Sequence, residues 1–325
     1  MPEWLIEEGI GEDRALLYDN DSAVAARIDW PGRLAPGLVA DAKLVSRVSG
    51  SSRGRAEFPG GEEALVHKLP RDANEGATMR LEVTRTAISE RGRTKLARAR
   101  PSEALPRDAY RLRDILGEMG KTARVVHRFP TGEWDEIWAD AWSGTIAFGN
   151  GMLDFSPTPA MTLVDVDGTL DPRALGLAAV PALAEAIRRF DLAGSIGIDF
   201  PTLSAKADRK AVDEALEDAL ADWPHERTAM NGFGFVQIVS RLERPSLLHR
   251  IAANRIGAAT RLLLRRAEDP ALPPGPVLLT CHPSIKARLR GEWLESLARR
   301  IGRAVEVRSD PGLAIDGGFA QAVQP

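Results

Sequence analysis

The sequence predicts a multidomain protein of the α/β (α+β) class, and three observations support this. Its 325 residues are 44% hydrophobic and 27% charged, which is ordinary globular composition and enough length for two or three small domains. Short apolar segments separated by glycine-rich turns occupy most of the first 100 residues, a pattern typical of β-structure. From residue 161 onward, strand-like and helix-like segments alternate, which is typical of α/β layers.

The N-terminal third is predicted to consist of strands. Alternating or continuous apolar runs between Gly, Asp and Asn turns indicate a hairpin unit with strands at 3–8, 14–18 and 23–30. After Pro31-Gly32, four further strand-like segments of similar spacing predict a small barrel, at 38–48, 54–58, 63–67 and 78–86.

The remaining elements mix helices and strands. Up to residue 222 we expect, in order, a helix at 109–119, a strand at 124–129, a Trp- and Gly-rich segment at 133–155 with a strand at 144–148, a strand at 161–166, a helix at 174–190, a strand at 195–200 and a helix at 207–222. A small α/β end domain is then predicted from a long helix at 246–267, a proline-rich linker at 270–276, a strand at 277–280, a helix at 283–301 and a strand at 304–307.

Composition limits the kinds of site and location that we expect. Residues 1–8 lack the basic start and apolar run of a signal peptide, and no stretch approaches the roughly 18 apolar residues of a membrane span, so we expect a cytoplasmic protein. Cys281 is the single cysteine, so neither a disulfide nor a thiolate zinc site can form within one subunit. A metal would therefore be held mainly by oxygen ligands.

Charge is distributed unevenly along the chain. Residues 33–100 carry 14 Lys and Arg against 8 Asp and Glu, a local charge of +6 that leaves −9 on the remainder. A basic module on an acidic body is a weak indication of a polyanionic partner, and an ordinary solvated surface is the alternative interpretation.

The strongest local signal is a pair of acidic strand ends. Asp165 and Asp167 end an apolar strand and project from the same face, and Asp199 ends the next strand, one helix later. A right-handed crossover would bring Asp165 beside Asp199, and a divalent cation would relieve the repulsion between them. Mg²⁺ suits such a site best because it takes one or two protein carboxylates and keeps its waters, with Mn²⁺ as an alternative ion. The competing interpretation is that each Asp caps a helix or satisfies a turn.

A second enzyme class matches the same residues. Asp165-Val166-Asp167-Gly168-Thr169-Leu170 is the opening motif of haloacid-dehalogenase-type phosphatases, in which Asp165 would be the nucleophile and Asp167 the general acid/base. About half of this chain lies upstream of the motif, and the later acidic segment carries the single Asp199, whereas those enzymes begin near the motif.

The order of the segments resembles the RNase E/G ribonucleases over nearly the whole chain. The most specific part runs from 160 to 247 and includes Ile198-Asp199-Phe200, Arg209-Lys210-Ala211-Val212 and Gly232-Phe233-Gly234-Phe235. The resemblance implies an RNase H-like domain at 1–32 and 101–156, interrupted by an OB-type RNA-binding barrel at 33–100. It further implies a DNase I-like catalytic domain at 157–269 and a small C-terminal domain at 270–325.

The resemblance also implies an activity and a set of site residues. It predicts hydrolysis of single-stranded RNA with the metal held by Asp165 and Asp199, while Asp167, where the family usually has Asn, orients a water. Lys95 and Arg93, in the segment Gly92-Arg93-Thr94-Lys95, would contact phosphate, Phe58 would stack on a base, and Arg241 would neutralise substrate charge. A surface lysine, a core phenylalanine and a structural salt bridge are the respective alternatives.

Two family features have no counterpart in this chain. The Arg-Thr-Ala-Gly motif that senses a 5′ monophosphate and the paired cysteines of the intersubunit zinc link are both absent from the sequence. We therefore expect no zinc, and a homo-oligomer, if formed, would lack that link. A family member that binds RNA without cleaving it is a further alternative.

Overall fold

The computed structural model describes residues 2–90, 93–118 and 122–323. Helices and several β-sheets alternate along this part of the chain, and one sheet closes into a five-stranded barrel, so the predicted α/β (α+β) class is confirmed. Within these ranges, no helix is both long and apolar enough to cross a bilayer.

The predicted N-terminal hairpin unit is confirmed. Its antiparallel strands are β1 (Glu3–Glu8), β2 (Asp13–Asp19) and β3 (Ser22–Asp29). Asn20 and Asp21 form the second turn with φ of 49° and 63°, a left-handed conformation that these two residue types tolerate better than others.

The barrel is built from the strands that the spacing predicted, with one more strand to close it. The strands of this region are β4 (Val39–Arg47), β5 (Gly54–Glu57), β6 (Glu63–Val66), β7 (Thr78–Arg85), the short hairpin β8 (Ile88–Glu90) and β9 (Arg93–Lys95), and β10 (Ala97–Pro101). The closed order is β10-β6-β5-β4-β7, in which β6 and β10 pair in parallel. Alternate side chains of these strands fill the barrel interior.

The segment after the barrel returns to the first sheet. It contains α1 (Leu112–Glu118) and β11 (Thr122–Val125), and β11 pairs in parallel with β1. The predicted helix at 109–119 thus starts three residues later, and its last residue, Met119, lies outside the described residues. The strand predicted at 124–129 is observed as β11, which is two residues shorter than predicted and begins two residues earlier.

The Trp-rich segment contains a helix that was not predicted. In α2 (Glu133–Ser143), Trp134, Ile137, Trp138 and Ala141 are buried, a spacing that repeats once per helical turn. The strand predicted at 144–148 follows this helix as β12 (Thr145–Phe148).

The central sheet has six strands and one covered face. Its elements are β12 (Thr145–Phe148), β13 (Gly151–Pro157), β14 (Thr162–Gly168), α3 (Pro172–Arg189), β15 (Gly194–Asp199), α4 (Lys206–Ala219), β16 (Glu226–Arg227) and β17 (Phe235–Ser240). The order is β12-β13-β14-β15-β17-β16, in which β14 and β15 are parallel and the other neighbours antiparallel. Since β12 pairs with β13, and β13 pairs with β14, this sheet begins at Thr145. Helix α3 packs on one face, against side chains such as Val164 and Ile198.

Two predicted long helices are each broken. Residues 246–267 form α5 (Leu247–Ala253) and α6 (Arg255–Ala267), because Asn254, with φ −145° and ψ 65°, ends one helix and caps the next. After the predicted linker come β18 (Val277–Cys281), α7 (Pro283–Lys286), α8 (Gly291–Ile301), β19 (Val305–Ser309) and β20 (Phe319–Ala322). The single helix predicted at 283–301 is therefore α7 and α8. The apolar core of this end region also contains Leu263 and Leu264 of α6, and Ile10.

Candidate metal and RNA site

Asp165 and Asp199 lie side by side on neighbouring strands. The parallel register of β14 and β15 pairs Asp165 directly with Asp199. Neighbouring strands are about 4.8 Å apart, and paired residues project from the same face, so the two carboxylates face one another across a single strand spacing. Both residues are exposed to solvent.

The alternating sequence of the two strands decides which face carries the acids. Val164 and Val166 of β14, and Ile198 of β15, are buried in the apolar core that also contains the inner face of α3. Because side chains alternate along a strand, the intervening Asp165 and Asp199 must project to the opposite face. One detail of the prediction was wrong. Asp165 does not end its strand but is the fourth of the seven residues of β14, so it lies on the open sheet face rather than in a strand-end crevice.

A third carboxylate extends the pair into a row. Asp154 of β13 pairs with Asp165 from the other side, so Asp154, Asp165 and Asp199 follow one another across three strands. Partial burial raises the pKa of Asp165 above its usual range. The negative charges of Asp199, Asp167 and Asp154 raise it further. The row therefore concentrates negative charge at Asp165.

Asp167 lies two residues further along the same strand face. Its Oδ1 accepts a hydrogen bond of 2.8 Å from the backbone N–H of Gly168. The side chain is exposed, and it lies on the same face of the strand as Asp165.

A cation at this row could be bound by two neighbouring carboxylates but not by three. Within the part of the chain that the structure describes, no group of three or more His, Cys, Asp or Glu side chains is arranged to hold a metal ion. The reason is geometric, since Asp154 and Asp199 are separated by two strand spacings, roughly 10 Å. The Asp165 and Asp199 pair fits a hydrated Mg²⁺ or Mn²⁺, because Mg²⁺ usually binds one or two carboxylates and keeps several waters.

The sheet does not favour the phosphatase interpretation. A nucleophilic Asp at a ligand crevice belongs at the carboxyl end of a parallel strand. Here Asp165 lies within β14, whose other neighbour, β13, is antiparallel.

The three barrel residues expected to contact RNA differ in their surroundings. Phe58 is 2% exposed and packs in the barrel core, so the stacking role is wrong and the ring is a core group. Lys95 donates from Nζ to the carbonyl oxygen of Pro159 at 3.0 Å, which connects the barrel exit to the loop before β14. The Arg93 side chain and Gly92 lie outside the described part of the chain.

Arg241 lies at the opposite end of the sheet from the acidic row. Because β15 and β17 are antiparallel, Asp199 pairs with Phe235, whereas Ser240 pairs with Gly194, five residues and roughly 16 Å away. Arg241 is 86% exposed and pairs with Glu243 at 2.9 Å. The structure therefore places Arg241 away from the acidic row and in a surface ion pair, and a contact between Arg241 and substrate stays a prediction.

Sequence reasoning missed a group of cations on the barrel. Arg53 and Arg98 are exposed, and among the described residues neither side chain has a carboxylate partner. They surround His67, and burial followed by the charges of Arg98, Arg53 and Arg85 lowers the pKa of this histidine. The sequence signal was their position beside small residues that alternate into the barrel interior, since Arg53 precedes Gly54 and Arg98 lies between Ala97 and Ala99. By contrast, Arg55 and Arg100 pair with Glu63 and Glu82.

Comparison of the sequence with models of known protein families gives no match, and comparison with curated proteins identifies no relative.

Proposed function

We propose that this chain is a metal-dependent endoribonuclease of the RNase E/G type that hydrolyses single-stranded RNA in RNA processing or turnover. The observation that carries the proposal is the direct pairing of Asp165 with Asp199 on an open sheet face. Partial burial, followed by the negative charges of Asp199 and the other nearby acids, raises the pKa of Asp165, and a shared hard cation would offset the cost of ionising this group.

The arrangement around the barrel supports the proposed architecture. A closed five-stranded barrel in which the third and fifth strands, β6 and β10, pair in parallel is consistent with an OB-type fold. This barrel is inserted in a sheet whose strands β1 and β11 come from either side of it in sequence, as an interrupted RNase H-like domain requires. The uncompensated Arg53 and Arg98 suit a polyanionic strand.

The protein residues have distinct roles in the proposed reaction. Asp165 and Asp199 would hold Mg²⁺ or Mn²⁺, which when bound supplies Lewis-acid activation of a water and of the scissile phosphate. Asp167, on the same face, would accept a hydrogen bond from a water and orient it. Hydrolysis of the diester would leave a 3′-hydroxyl and a 5′-phosphate.

Replacement of the paired acids tests the proposal. In a cleavage assay with a fluorescent single-stranded RNA and Mg²⁺, D165N and D199N should each lose roughly a hundredfold or more of the activity, because each removes a metal ligand. Binding of the same RNA in chelator should stay close to wild type. D218N, which removes an exposed acid from α4, is the matched control and should cleave normally. Normal cleavage by D199N would refute the assignment.

A second candidate is a member of this family that binds RNA without cutting it. The observation in its favour is that the described residues offer no group of three or more metal-ligating side chains. RNA binding by the wild-type chain, with no cleavage in Mg²⁺ or Mn²⁺, would select this candidate.

A further inference from the structure

A cleft of about 410 Å³ lies far from the acidic row. It is lined by residues from the N-terminal hairpin, the start of the β8 hairpin, the α5 and α6 helices, and the turn before α8. Strand β17 ends at Ser240, at the end of the sheet opposite Asp199. Pro245, five residues later, lines the cleft. The proposed metal site and this cleft share no lining residue.

The lining of the cleft is strongly cationic. It carries five arginines against the single carboxylate of Glu292, namely Arg33, Arg250, Arg261, Arg288 and Arg290. Three of these have carboxylate partners, and they are Arg33 with Glu62, Arg250 with Asp29 and Arg290 with Glu292. Within the described residues, Arg261 and Arg288 have none. The lining therefore carries more arginines than carboxylates, and the charge of Glu12, which pairs with Arg14, also acts on Arg261.

Arg261 is held rigidly at the centre of this group. Its guanidinium lies 4.1 Å from the ring centroid of Trp30 and 5.0 Å from that of Trp293, and it donates to the carbonyl oxygens of Gly11 and Gly257. Gly11 is required here, because its φ is +68° and a Cβ would lie 2.6 Å from the Trp293 ring. A cation fixed in this way loses little further entropy when it binds an anion.

Two polar groups in the lining lack the partners that burial demands. Thr86 is 6% exposed and Arg250 is 7% exposed, yet Thr86 Oγ1 and Arg250 Nε have no hydrogen-bond partner. Burial, together with the charges of Arg288, Arg250 and Arg290, outweighs the opposing charge of Glu12 and lowers the pKa of Arg261 to about 10. A ligand with a polar atom beside Thr86 would satisfy its hydroxyl, and a negative charge on that ligand would relieve the repulsion at Arg261.

We propose that this cleft binds a small phosphate monoester of nucleotide size. The phosphate would lie on Arg261, Arg288 and Arg290, and the organic part against Trp30 and Thr86. A phosphate dianion matches several converging guanidinium groups, and the volume is in the range of small-molecule sites, which is more than a phosphate alone needs. This inference does not depend on the proposed nuclease activity.

Calorimetric titration of the full chain in buffer with chelator tests the site. Adenosine 5′-monophosphate is the probe, with ribose 5-phosphate, inorganic phosphate and adenosine for comparison. We expect saturable binding of the monophosphate with a Kd of about 1 mM or lower. Adenosine should bind at least about tenfold more weakly, because it lacks the charged group. The relative affinities of adenosine monophosphate and ribose 5-phosphate will distinguish a nucleotide from a sugar phosphate as the ligand, and either supports the site.

Three variants locate the binding. R288Q and R290Q change exposed side chains and should each weaken monophosphate binding by about tenfold, the usual effect of one charge-assisted hydrogen bond. R299Q removes an exposed arginine outside the cleft, from α8, the helix that follows Arg290, and should bind like wild type. The inference is overturned if the monophosphate does not bind, or if R288Q and R290Q bind it as wild type does. It is also overturned if R299Q is equally impaired, or if a hydroxyl-ended oligonucleotide displaces the monophosphate more effectively than inorganic phosphate does.

Discussion

At the scale of single residues, the distinctive feature is the raised pKa of Asp165. The carboxyl is partly buried and faces three other acids, so the folded state holds its proton more tightly than the unfolded state does. Between the ordinary aspartate pKa, about 3.9, and the raised value, stability therefore falls as pH rises, and above that window the full cost of the ionised group remains.

Removal of this charge should therefore stabilise the metal-free protein. In chelator at pH 7, we expect D165N to unfold at a temperature higher than wild type by on the order of 1 °C, since the group is exposed and the repulsion is screened. Thermal unfolding followed by circular dichroism will measure this. The difference should vanish below pH of about 3.9. Saturating Mg²⁺ should raise the transition of wild type but not that of D165N, and a lower transition for D165N in chelator would contradict this account.

At the scale of elements, a buried ionic network joins strands to a distant helix. Glu7 of β1 is 3% exposed and pairs with Arg14 of β2 at 2.8 Å and with Arg265 of α6 at 3.0 Å. It also accepts the backbone N–H of Phe129. Burial alone would raise the pKa of Glu7, but the hydrogen bond and charge of Arg265, with the charge of Arg14, outweigh it and lower the pKa.

Loss of the Glu7 charge should strongly destabilise the fold. E7Q leaves two buried arginines with less compensation, although Arg14 keeps Glu12 and Arg265 keeps Asp135. We therefore expect a loss of about 3 kcal/mol in the free energy of unfolding, the low end for a broken buried pair. Denaturant titration at pH 7 will measure it. Because the Glu7 pKa is lowered, this contribution is complete above the ordinary value of about 4.3 and declines as pH falls further.

The neighbouring Glu8 provides the matched control. It pairs with Arg113, whose side chain is half exposed, so E8Q should cost less than about 1 kcal/mol. Equal losses for E7Q and E8Q would show that the network does not stabilise the contact between β1 and α6.

At the scale of the whole molecule, charge is divided between the barrel and the remainder. The segment from 33 to 100 carries +6 and the rest of the chain −9. On the barrel, Arg53 and Arg98 are the exposed cations around His67, whereas several other arginines are neutralised by carboxylates. An RNA strand that uses this surface would displace counterions from its phosphates.

Salt dependence of RNA binding tests the role of this surface. If Arg53 and Arg98 each contact one phosphate, the R53Q/R98Q double variant should bind single-stranded RNA more weakly. The slope of its plot of log affinity against log salt concentration should be smaller in magnitude by about 1.4, the value for two phosphate contacts on a single strand. Fluorescence anisotropy in chelator at several salt concentrations will measure both quantities. R55Q is the control, because the Arg55 charge is paired with Glu63, and its slope should match wild type. An unchanged slope in the double variant would exclude this surface.

The sequence by itself determined the local pattern and the nearest-neighbour geometry. Alternation of apolar residues indicated the strands of the N-terminal hairpin and the barrel. The strand, helix and strand unit from 161 to 200 was enough to predict that Asp165 and Asp199 would be neighbours, because a crossover connection usually returns beside its first strand. Such features depend on side-chain periods of two or 3.6 residues and on short connections, which a single segment specifies.

Only the tertiary structure decided the features that depend on strand order and direction. The antiparallel return of β17 placed Arg241 at the end of the sheet opposite Asp199, and the pairing of β13 with β14 placed Asp154 beside Asp165. Closure of the barrel buried Phe58. The arginine cleft is assembled from separate segments of the chain, so no local pattern could have revealed it. Contacts between distant segments are selected by the packing of the whole core, whereas a periodic pattern specifies only which face of each segment is apolar.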